Sequence, residues 1–236
     1  PDSGNYTFNS TATVFATISV RSLTVGISSA GKTYDGNTTA TVSYTDNRIS
    51  GDLFTVSGTA TYASKTAAVG KTITANNIAL SGTDAANYSQ NNTATTTATI
   101  TQRALVVTIS SAGKTYDAAT SASVTYADDR VSGDLFTVSG TATYASKTAA
   151  VGKTITATGI TISGTDAGNY TQNTTATTTA TIAQRALTIT GTYTAFNKVY
   201  DATTAATASG TATLSGVIAG TSVNLGGTPV YTFASA

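Results

Sequence analysis

The sequence contains no Cys, His, Met, Trp or Glu among its 236 residues. Without His and Cys, the chain lacks the usual nucleophile–base pairs of enzymes and the commonest zinc and iron ligands. Without Glu, Asp is the only side chain that supplies a carboxylate for acid–base chemistry. These absences predict a protein that is not an enzyme and that binds no cofactor.

Charge is scarce as well, because charged residues make up 10% of the chain, against roughly a quarter in average proteins. A net charge of +1 gives no basic stripe, so nucleic acid is not an expected partner. No apolar run approaches the ~20 residues of a membrane-spanning helix, so membrane insertion is not expected either. Because Cys is absent, stability must come from packing and hydrogen bonds rather than from disulfides.

What the chain has instead is a motif that recurs at long intervals. Lys32-Thr33-Tyr34-Asp35-Gly36 returns as Lys114-Thr115-Tyr116-Asp117-Ala118 and, more loosely, as Lys198-Val199-Tyr200-Asp201-Ala202. The tyrosines of the first two copies lie 116 − 34 = 82 residues apart. A fixed period of this length indicates a tandem array of small domains.

The period divides the chain into four parts. Residues 1–21 match the end of a preceding repeat, 22–103 and 104–185 are complete repeats, and 186–236 begin a third. Residues 50–75 are identical to 132–157, which favours an array of interchangeable spacer units. In the third part, Val230-Tyr231 is placed where the second repeat has Thr143-Tyr144. We expect the chain to be an internal segment of a longer secreted protein.

The pattern within each repeat predicts an all-β fold. Short runs of Thr, Val, Ile and aromatic residues alternate with turn residues about every ten positions, which is typical of an Ig-like β-sandwich. In the first repeat the predicted strands are Leu23–Ile27, Thr38–Tyr44, Leu53–Val56, Thr59–Ala63, Lys71–Ala75, Ile78–Ser81 and Thr93–Thr101. Residues 100–107 and 182–189 pass from one strand pattern to the next without a flexible linker, so we expect an end-to-end rod.

The Lys-x-Tyr-Asp motif is interpreted as structural. We expect Tyr34 to bury its ring and to bond its hydroxyl to a backbone group. Asp35 is expected to cap the following turn, and Lys32 to keep its ammonium group in water. Because Gly36 is replaced by Ala in the other copies, we do not expect a positive φ to be required there. The same roles are expected for Lys114, Tyr116, Asp117, Lys198, Tyr200 and Asp201.

A second signature, Asp-x-x-Asn-Tyr, suggests two hypotheses. Its oxygens are weak calcium candidates, although Ca²⁺ prefers six to eight oxygen ligands and each signature offers few. The alternative is an Asx-type turn that leads into a strand near Tyr88 or Tyr170. The calcium candidates are Asp84, Asn87, Asp166 and Asn169.

Three further features are considered. The first is an internal isopeptide bond, which could form between Lys32 or Lys71 and Asn87, with Asp35 as the acid. The second is glycosylation, which several Asn-x-Ser/Thr triplets suggest. The threonines at 95, 97 and 99, with 177, 179 and 181, suggest an ice-binding ladder. The alternative is a solvated strand face, since each ladder is expected on a single strand of its repeat.

The repeated motif, the Asp84-Ala85-Ala86-Asn87-Tyr88 signature and the closing Arg103-Ala104-Leu105 together resemble YDG/MBG-type repeat domains. Such domains occur in tandem in large bacterial surface and secreted proteins, including filamentous-haemagglutinin-like adhesins. The resemblance covers nearly the whole chain and implies β-rich extracellular modules. It supplies no ligand and no catalytic residue.

These observations predict a structural stalk or filament segment of a secreted or cell-surface bacterial adhesin or matrix protein. Its expected partners are neighbouring repeats or other copies of the chain. In one alternative, the repeats themselves bind glycans or host surfaces. In another, copies polymerise by strand complementation, with residues 1–21 completing the third repeat of a neighbour.

Overall fold

A computed structural model describes residues 2–7 and 11–235. Strands dominate it, and the helical segments that it describes are 3₁₀ turns at Ser3–Asn5, Ala85–Asn87 and Ala167–Asn169. The prediction of an all-β repeat fold is confirmed. Within those residues, no helix combines the length and the apolar character needed to cross a membrane.

The first repeat is built from short strands around two long ones. They are β1 (Arg21–Leu23), β2 (Val25–Ser28), β3 (Lys32–Thr33), β4 (Ser43–Asp46), β5 (Thr55–Tyr62), β6 (Ala68–Ser81), β7 (Tyr88–Gln90) and β8 (Ala94–Thr101). The second repeat has the same order. Its strands are β9 (Arg103–Leu105), β10 (Val107–Ser110), β11 (Lys114–Thr115), β12 (Thr125–Asp128), β13 (Thr137–Tyr144), β14 (Ala150–Ser163), β15 (Tyr170–Gln172) and β16 (Thr175–Ala183).

Each complete repeat has one four-stranded sheet and two smaller pairings. The four-stranded sheet has the order β3–β8–β6–β5 in the first repeat and β11–β16–β14–β13 in the second. β2 pairs with β4, and β10 with β12, in antiparallel fashion. β1 pairs with β7 and β9 with β15. The short strand β3, which carries Lys32, runs parallel to β8 at the edge of the large sheet.

The core lies on one face of the large sheet. Along β6, Ile73, Ala75 and Ile78 are buried, and the residues between them point outward or are partly exposed. Ile100 of β8 and Leu23 of β1 are also buried. This alternation is what a sheet with one solvated face requires, and it explains the period-two pattern of the sequence.

In two places, two strands that were predicted separately form one continuous strand. Leu53–Val56 and Thr59–Ala63 merge into β5, because β5 runs on through Ser57-Gly58, opposite a register shift where β6 has one residue more than β5 between the pairs Ser57–Ala79 and Thr59–Asn76. Lys71–Ala75 and Ile78–Ser81 likewise merge into β6, which continues through Asn77 at a φ of 53°. Turn-forming residues therefore mark irregular strand positions here, rather than strand ends.

The chain forms two compact units. The first contains residues 1–104 together with 131–134 and 168–171, and the second contains 105–130, 135–167 and 172–236. The first unit therefore includes two short segments of the second repeat. Between the repeats, β8 ends at Thr101 and β9 begins at Arg103, so the expected direct passage from strand to strand is observed.

The third repeat contains β17 (Thr188–Ala195), β18 (Ala205–Ala206), β19 (Ala208–Ser215) and β20 (Tyr231–Thr232). The predicted equivalence of Val230-Tyr231 with Thr143-Tyr144 is wrong by two residues. Lys198 lies 5.7 Å from the Phe233 ring centroid, as Lys114 lies 5.3 Å from that of Tyr144. Phe233 is therefore the counterpart of Tyr144.

The interpretation of Gly36 is also wrong. Gly36 has a φ of 80°, and the alanines that replace it have φ values of 63° at Ala118 and 59° at Ala202. A positive φ is therefore used in all three copies. In two of them an L-residue adopts the left-handed conformation at a cost of about 1–2 kcal/mol.

Ala118→Gly is expected to raise the free energy of unfolding by about 0.5–1 kcal/mol, because the backbone strain outweighs the added freedom of the unfolded chain. The matched control is Ala119→Gly, whose backbone φ is not positive. We expect this control to be destabilising by about 0.5 kcal/mol. Equilibrium urea unfolding followed by far-UV circular dichroism measures both. Equal effects of the two substitutions would contradict the strain.

Candidate functional site

The lysine and the aspartate of Lys-x-Tyr-Asp form a local clasp. Lys32 Nζ donates hydrogen bonds to Asp35 Oδ1 at 2.7 Å and to the backbone oxygen of Asn37 at 2.9 Å. Asp35 Oδ1 also accepts the Asn37 N–H at 3.1 Å, which closes an Asx turn. The expectation that Lys32 keeps its ammonium group in water is therefore wrong, because the group is bonded to protein oxygens. Lys32 Nζ also lies 5.5 Å from the centroid of the Tyr62 ring.

The clasp is repeated in the other copies. Lys114 bonds Asp117 at 2.7 Å, and Lys198 bonds Asp201 at the same distance. The hydrogen bond from Lys198 and those from Thr203 lower the pKa of Asp201 to about 2. Each clasp thus holds its own turn without help from another repeat.

The tyrosine of the motif has a different partner. Tyr34 is 1% exposed, and its hydroxyl donates to Asp134 Oδ2 at 2.8 Å and lies 3.0 Å from Oδ1. The expected backbone partner is therefore wrong, because the acceptor is a carboxylate that lies 100 residues further along the chain. Asp134 belongs to the second repeat by sequence and to the first compact unit by packing.

Tyr170 approaches the same carboxylate from the Asp-x-x-Asn-Tyr signature. Its hydroxyl donates to Asp134 Oδ2 at 2.6 Å and accepts the Val131 N–H at 2.9 Å. Its ring meets that of Tyr34 edge to face, with centroids 5.4 Å apart. Val131 also lies against the motif turn, where a Cβ on Gly36 would be only 2.7 Å from Val131 Cγ1. Glycine at position 36 therefore makes room for the second repeat.

Lys65 completes the set of donors. Its Nζ lies 3.2 Å from Asp134 Oδ1, and its side chain is partly exposed whereas that of Asp134 is buried. Tyr34, Lys65, Asp134, Asn169 and Tyr170 are called the junction cluster below. Asn169 is buried, and its Oδ1 accepts the Ala67 N–H at 2.9 Å.

The electrostatics of the junction cluster suit an ionised carboxylate. Burial disfavours the charge of Asp134, but hydrogen bonds donated by Tyr170, Tyr34 and Lys65 outweigh burial and hold the pKa of Asp134 below its ordinary value. Burial and the hydrogen bond to Asp134 raise the pKa of Tyr170 to about 12. At neutral pH Tyr170 is therefore a protonated donor and Asp134 is a charged acceptor.

Part of this arrangement, the bond between a tyrosine and an aspartate, recurs within the first repeat. The Tyr88 hydroxyl donates to Asp52 Oδ2 and accepts the Ile49 N–H at 3.0 Å, as Tyr170 does with Asp134 and Val131. Across the described residues, nothing takes the place of Tyr34 or Lys65 beside Asp52. Asn87, the counterpart of Asn169, is exposed.

The start of the third repeat differs chemically. Ile218-Ala219-Gly220-Thr221 corresponds to Val131-Ser132-Gly133-Asp134, since the Thr221 N–H bonds the Ile218 oxygen at 3.1 Å as the Asp134 N–H bonds that of Val131, and Gly220 and Gly133 both have a positive φ, of 81° and 93°. Thr221 thus replaces the carboxylate. It lines a cleft of about 400 Å³ together with Tyr116 and Leu187. No hydrogen bond of the Tyr116 hydroxyl is found in the described part of the chain.

The calcium candidates have other partners. Asp84 Oδ2 accepts the Leu53 N–H at 2.8 Å, and Asp166 Oδ2 accepts the Leu135 N–H at 2.9 Å. Each aspartate precedes a 3₁₀ turn, and the side chain of Asp84 makes no cap hydrogen bond to that turn, so the predicted Asx turn is not formed at Asp84. Among residues 2–7 and 11–235, no three Asp side chains come together as metal ligands.

The isopeptide candidates lie apart in their contacts. Lys32 is held in the clasp with Asp35, and Lys71 Nζ donates to the hydroxyls of Ser64 and Thr66. The glycosylation hypothesis remains a prediction.

The threonine face extends over several strands, contrary to expectation. In the second repeat, Thr143 of β13 pairs with Thr156 of β14, which pairs with Thr177 of β16. A single strand was expected because the sequence does not display cross-strand register.

A family model described as the YDG domain matches residues 19–98, 101–180 and 183–236. The chain belongs to the YDG domain family. The resemblance seen in the sequence is thereby confirmed, and the three matches tile the chain as tandem YDG repeats. A comparison with curated proteins and with solved structures gives no match.

Sequence reasoning missed the role of Asp134 and Lys65 in the YDG repeats. One signal was available, since the identical stretches 50–75 and 132–157 contain both residues or their counterparts Asp52 and Lys147. Identity there preserves both partners of a contact between successive repeats, in addition to the strands of one repeat.

Tyr34→Phe is expected to lower the free energy of unfolding by about 1.5–3 kcal/mol, because it removes a donor from a buried charged acceptor. Tyr116→Phe is the matched control, since Thr221 stands in place of the carboxylate there and no hydrogen bond of the Tyr116 hydroxyl is found among the described residues, and it should change stability by less than about 0.5 kcal/mol. Urea unfolding at pH 7 compares the two. Equal losses would show that the hydroxyl of Tyr34 is not used.

The junction cluster also predicts acid sensitivity. Because the folded pKa of Asp134 is depressed, its contribution to stability is present above the unfolded value of about 3.9 and is lost as pH falls through the lower folded value. The loss of stability between pH 7 and pH 3 should therefore be smaller in Asp134→Asn than in the natural chain. Urea midpoints across this range test the difference, and parallel curves would contradict it.

Proposed function

We propose that these YDG repeats form a stiff, non-catalytic spacer in a secreted or cell-surface bacterial protein. The observation that supports this most is the junction cluster, in which Tyr34 and Lys65 of the first repeat bond the buried carboxylate of Asp134 in the second repeat. Bonds of this kind oppose bending between repeats, because bending would strip donors from a buried charge.

The covalent connection supports the same role. Only Gln102 lies between β8 and β9, and its side chain is itself bonded. Gln102 Nε2 donates to the backbone oxygen of Gly168 at 2.9 Å, and Gln102 Oε1 accepts from Thr171 Oγ1 at 2.8 Å. A connecting residue that is held in this way has little of the freedom of a flexible linker.

The glycan-binding alternative lacks an exposed aromatic cluster in the first complete repeat. Phe54, Tyr62 and Tyr88 are buried there, and Tyr44 is partly buried. The strongly exposed tyrosines, Tyr6 and Tyr200, lie in the incomplete repeats, at positions whose counterparts in the first repeat are buried. Tyr34, the counterpart of Tyr200, is buried where it bonds Asp134 of the following repeat, and Tyr200 has no such partner among the described residues.

Polymerisation by strand complementation is also disfavoured. Residues 1–21 correspond to the segment that contains β7 and β8, whereas residues 186–235 as described include no counterpart of β14. That strand lies between β16 and β13 in the complete sheet. Donation of residues 1–21 would therefore leave the sheet without a central strand.

Small-angle scattering of the whole chain tests the spacer. We expect a profile with the cross-section of a rod, because the junction cluster and Gln102 restrict the repeats. A variant with a flexible Gly-Ser linker inserted after Gln102 is the control, and its profile should become that of jointed domains. If the natural chain already scatters like the linker variant, the stiff spacer is wrong.

A further inference from the structure

One face of the first YDG repeat carries the same groups that the second repeat uses in the junction cluster. Asp52, Asn87 and Tyr88 correspond to Asp134, Asn169 and Tyr170. The Tyr88 hydroxyl already donates to Asp52, and it accepts the Ile49 N–H as its counterpart accepts Val131 N–H. The acceptor half of the cluster is therefore formed before any partner is bound.

What differs between the two faces is their burial. Asn169 is 3% exposed because it bonds the Ala67 N–H, whereas Asn87 is exposed. Asp134 is buried with three donors around it, and Asp52 is only partly buried. Asp52 and Asn87 are thus accessible in the first repeat, whereas their counterparts Asp134 and Asn169 are buried in the second repeat, where residues of the first repeat cover them.

We propose that Asp52, Asn87 and Tyr88 form a docking site for the end of another YDG repeat. The partner is defined by its chemistry. It presents a buried tyrosine hydroxyl from Lys-x-Tyr-Asp and a lysine at the position of Lys65, both of which bond Asp52. It also presents a backbone N–H at the position of Ala67, which bonds Asn87. This inference rests on the proposed structural role and names the contact that passes from repeat to repeat.

The second repeat carries every group that such a partner needs. Tyr116 and Lys147 stand where the first repeat has Tyr34 and Lys65, and Ala149 stands in place of Ala67. The positive charge of Lys147 complements the carboxylate of Asp52. Tyr116 has no carboxylate partner within the described residues, because Thr221 of the third repeat stands where the second repeat has Asp134, so the recognition groups of the second repeat are not used in the same way by the third.

Disulfide trapping tests the docking site, since the chain contains no Cys. A copy of residues 104–185 is placed before Ser22 in the whole chain, with Ala149→Cys in the copy and Asn87→Cys in the first repeat. Ala67→Cys with Asn169→Cys in the natural chain gives the reference rate. We expect the new pair to cross-link at a comparable rate, and about tenfold faster than a pair of Asn87→Cys with Thr141→Cys in the copy, which lies on an exposed strand.

Recognition by the carboxylate is tested separately. Asp52→Leu in the extended chain should slow cross-linking about tenfold, because it removes the acceptor of the Tyr116 and Lys147 donors. A second extended chain, with residues 22–103 as the inserted copy and Ala67→Cys within it, guards against misfolding of the first. A rate equal to that of the exposed pair in both chains, or no effect of Asp52→Leu, overturns the docking site. Scattering of the natural chain is unaffected by that failure, so the spacer role is judged independently.

Discussion

The buried carboxylate of Asp134 is the constraint on which the contact between repeats depends. A carboxylate held away from water costs several kcal/mol unless donors satisfy it. Tyr34, Tyr170 and Lys65 supply those donors, and two of them come from the other repeat. The residues around the carboxylate therefore cannot change independently. Where Thr221 replaces it in the third repeat, the neighbouring surface is a cleft lined in part by apolar side chains.

The YDG motif divides its work between two kinds of contact. Its lysine and aspartate hold the turn within one repeat, and this clasp is present in all three copies whatever follows them. In the first copy, the tyrosine of the motif makes the contact with the next repeat. The clasp fixes the backbone on both sides of the tyrosine, so the hydroxyl is positioned before docking and less conformational freedom is lost when the repeats meet. The position after the aspartate keeps a positive φ even where it is Ala.

Much of the fold follows from local patterns, and the junction cluster does not. The period and the alternation of apolar residues reveal an all-β repeat, and the lack of loop residues around Gln102 reveals the direct connection. The partner of Tyr34 lies 100 residues away, and nothing in a local pattern pairs a tyrosine with a particular aspartate. Strand breaks were wrongly predicted at Gly58 and near Asn77, since residues that favour turns also occur at irregular positions inside strands.

A double-mutant cycle between Tyr34 and Asp134 is the most direct test of the central claim. Tyr34→Phe, Asp134→Leu and the double variant are compared with the natural chain by urea unfolding at pH 7. If the hydroxyl and the carboxylate bind each other, the coupling energy should lie at about 1 kcal/mol or above, because contacting residues couple by roughly 0.5–3 kcal/mol. Effects that add within about 0.3 kcal/mol would contradict the account, since independent sites behave in that way.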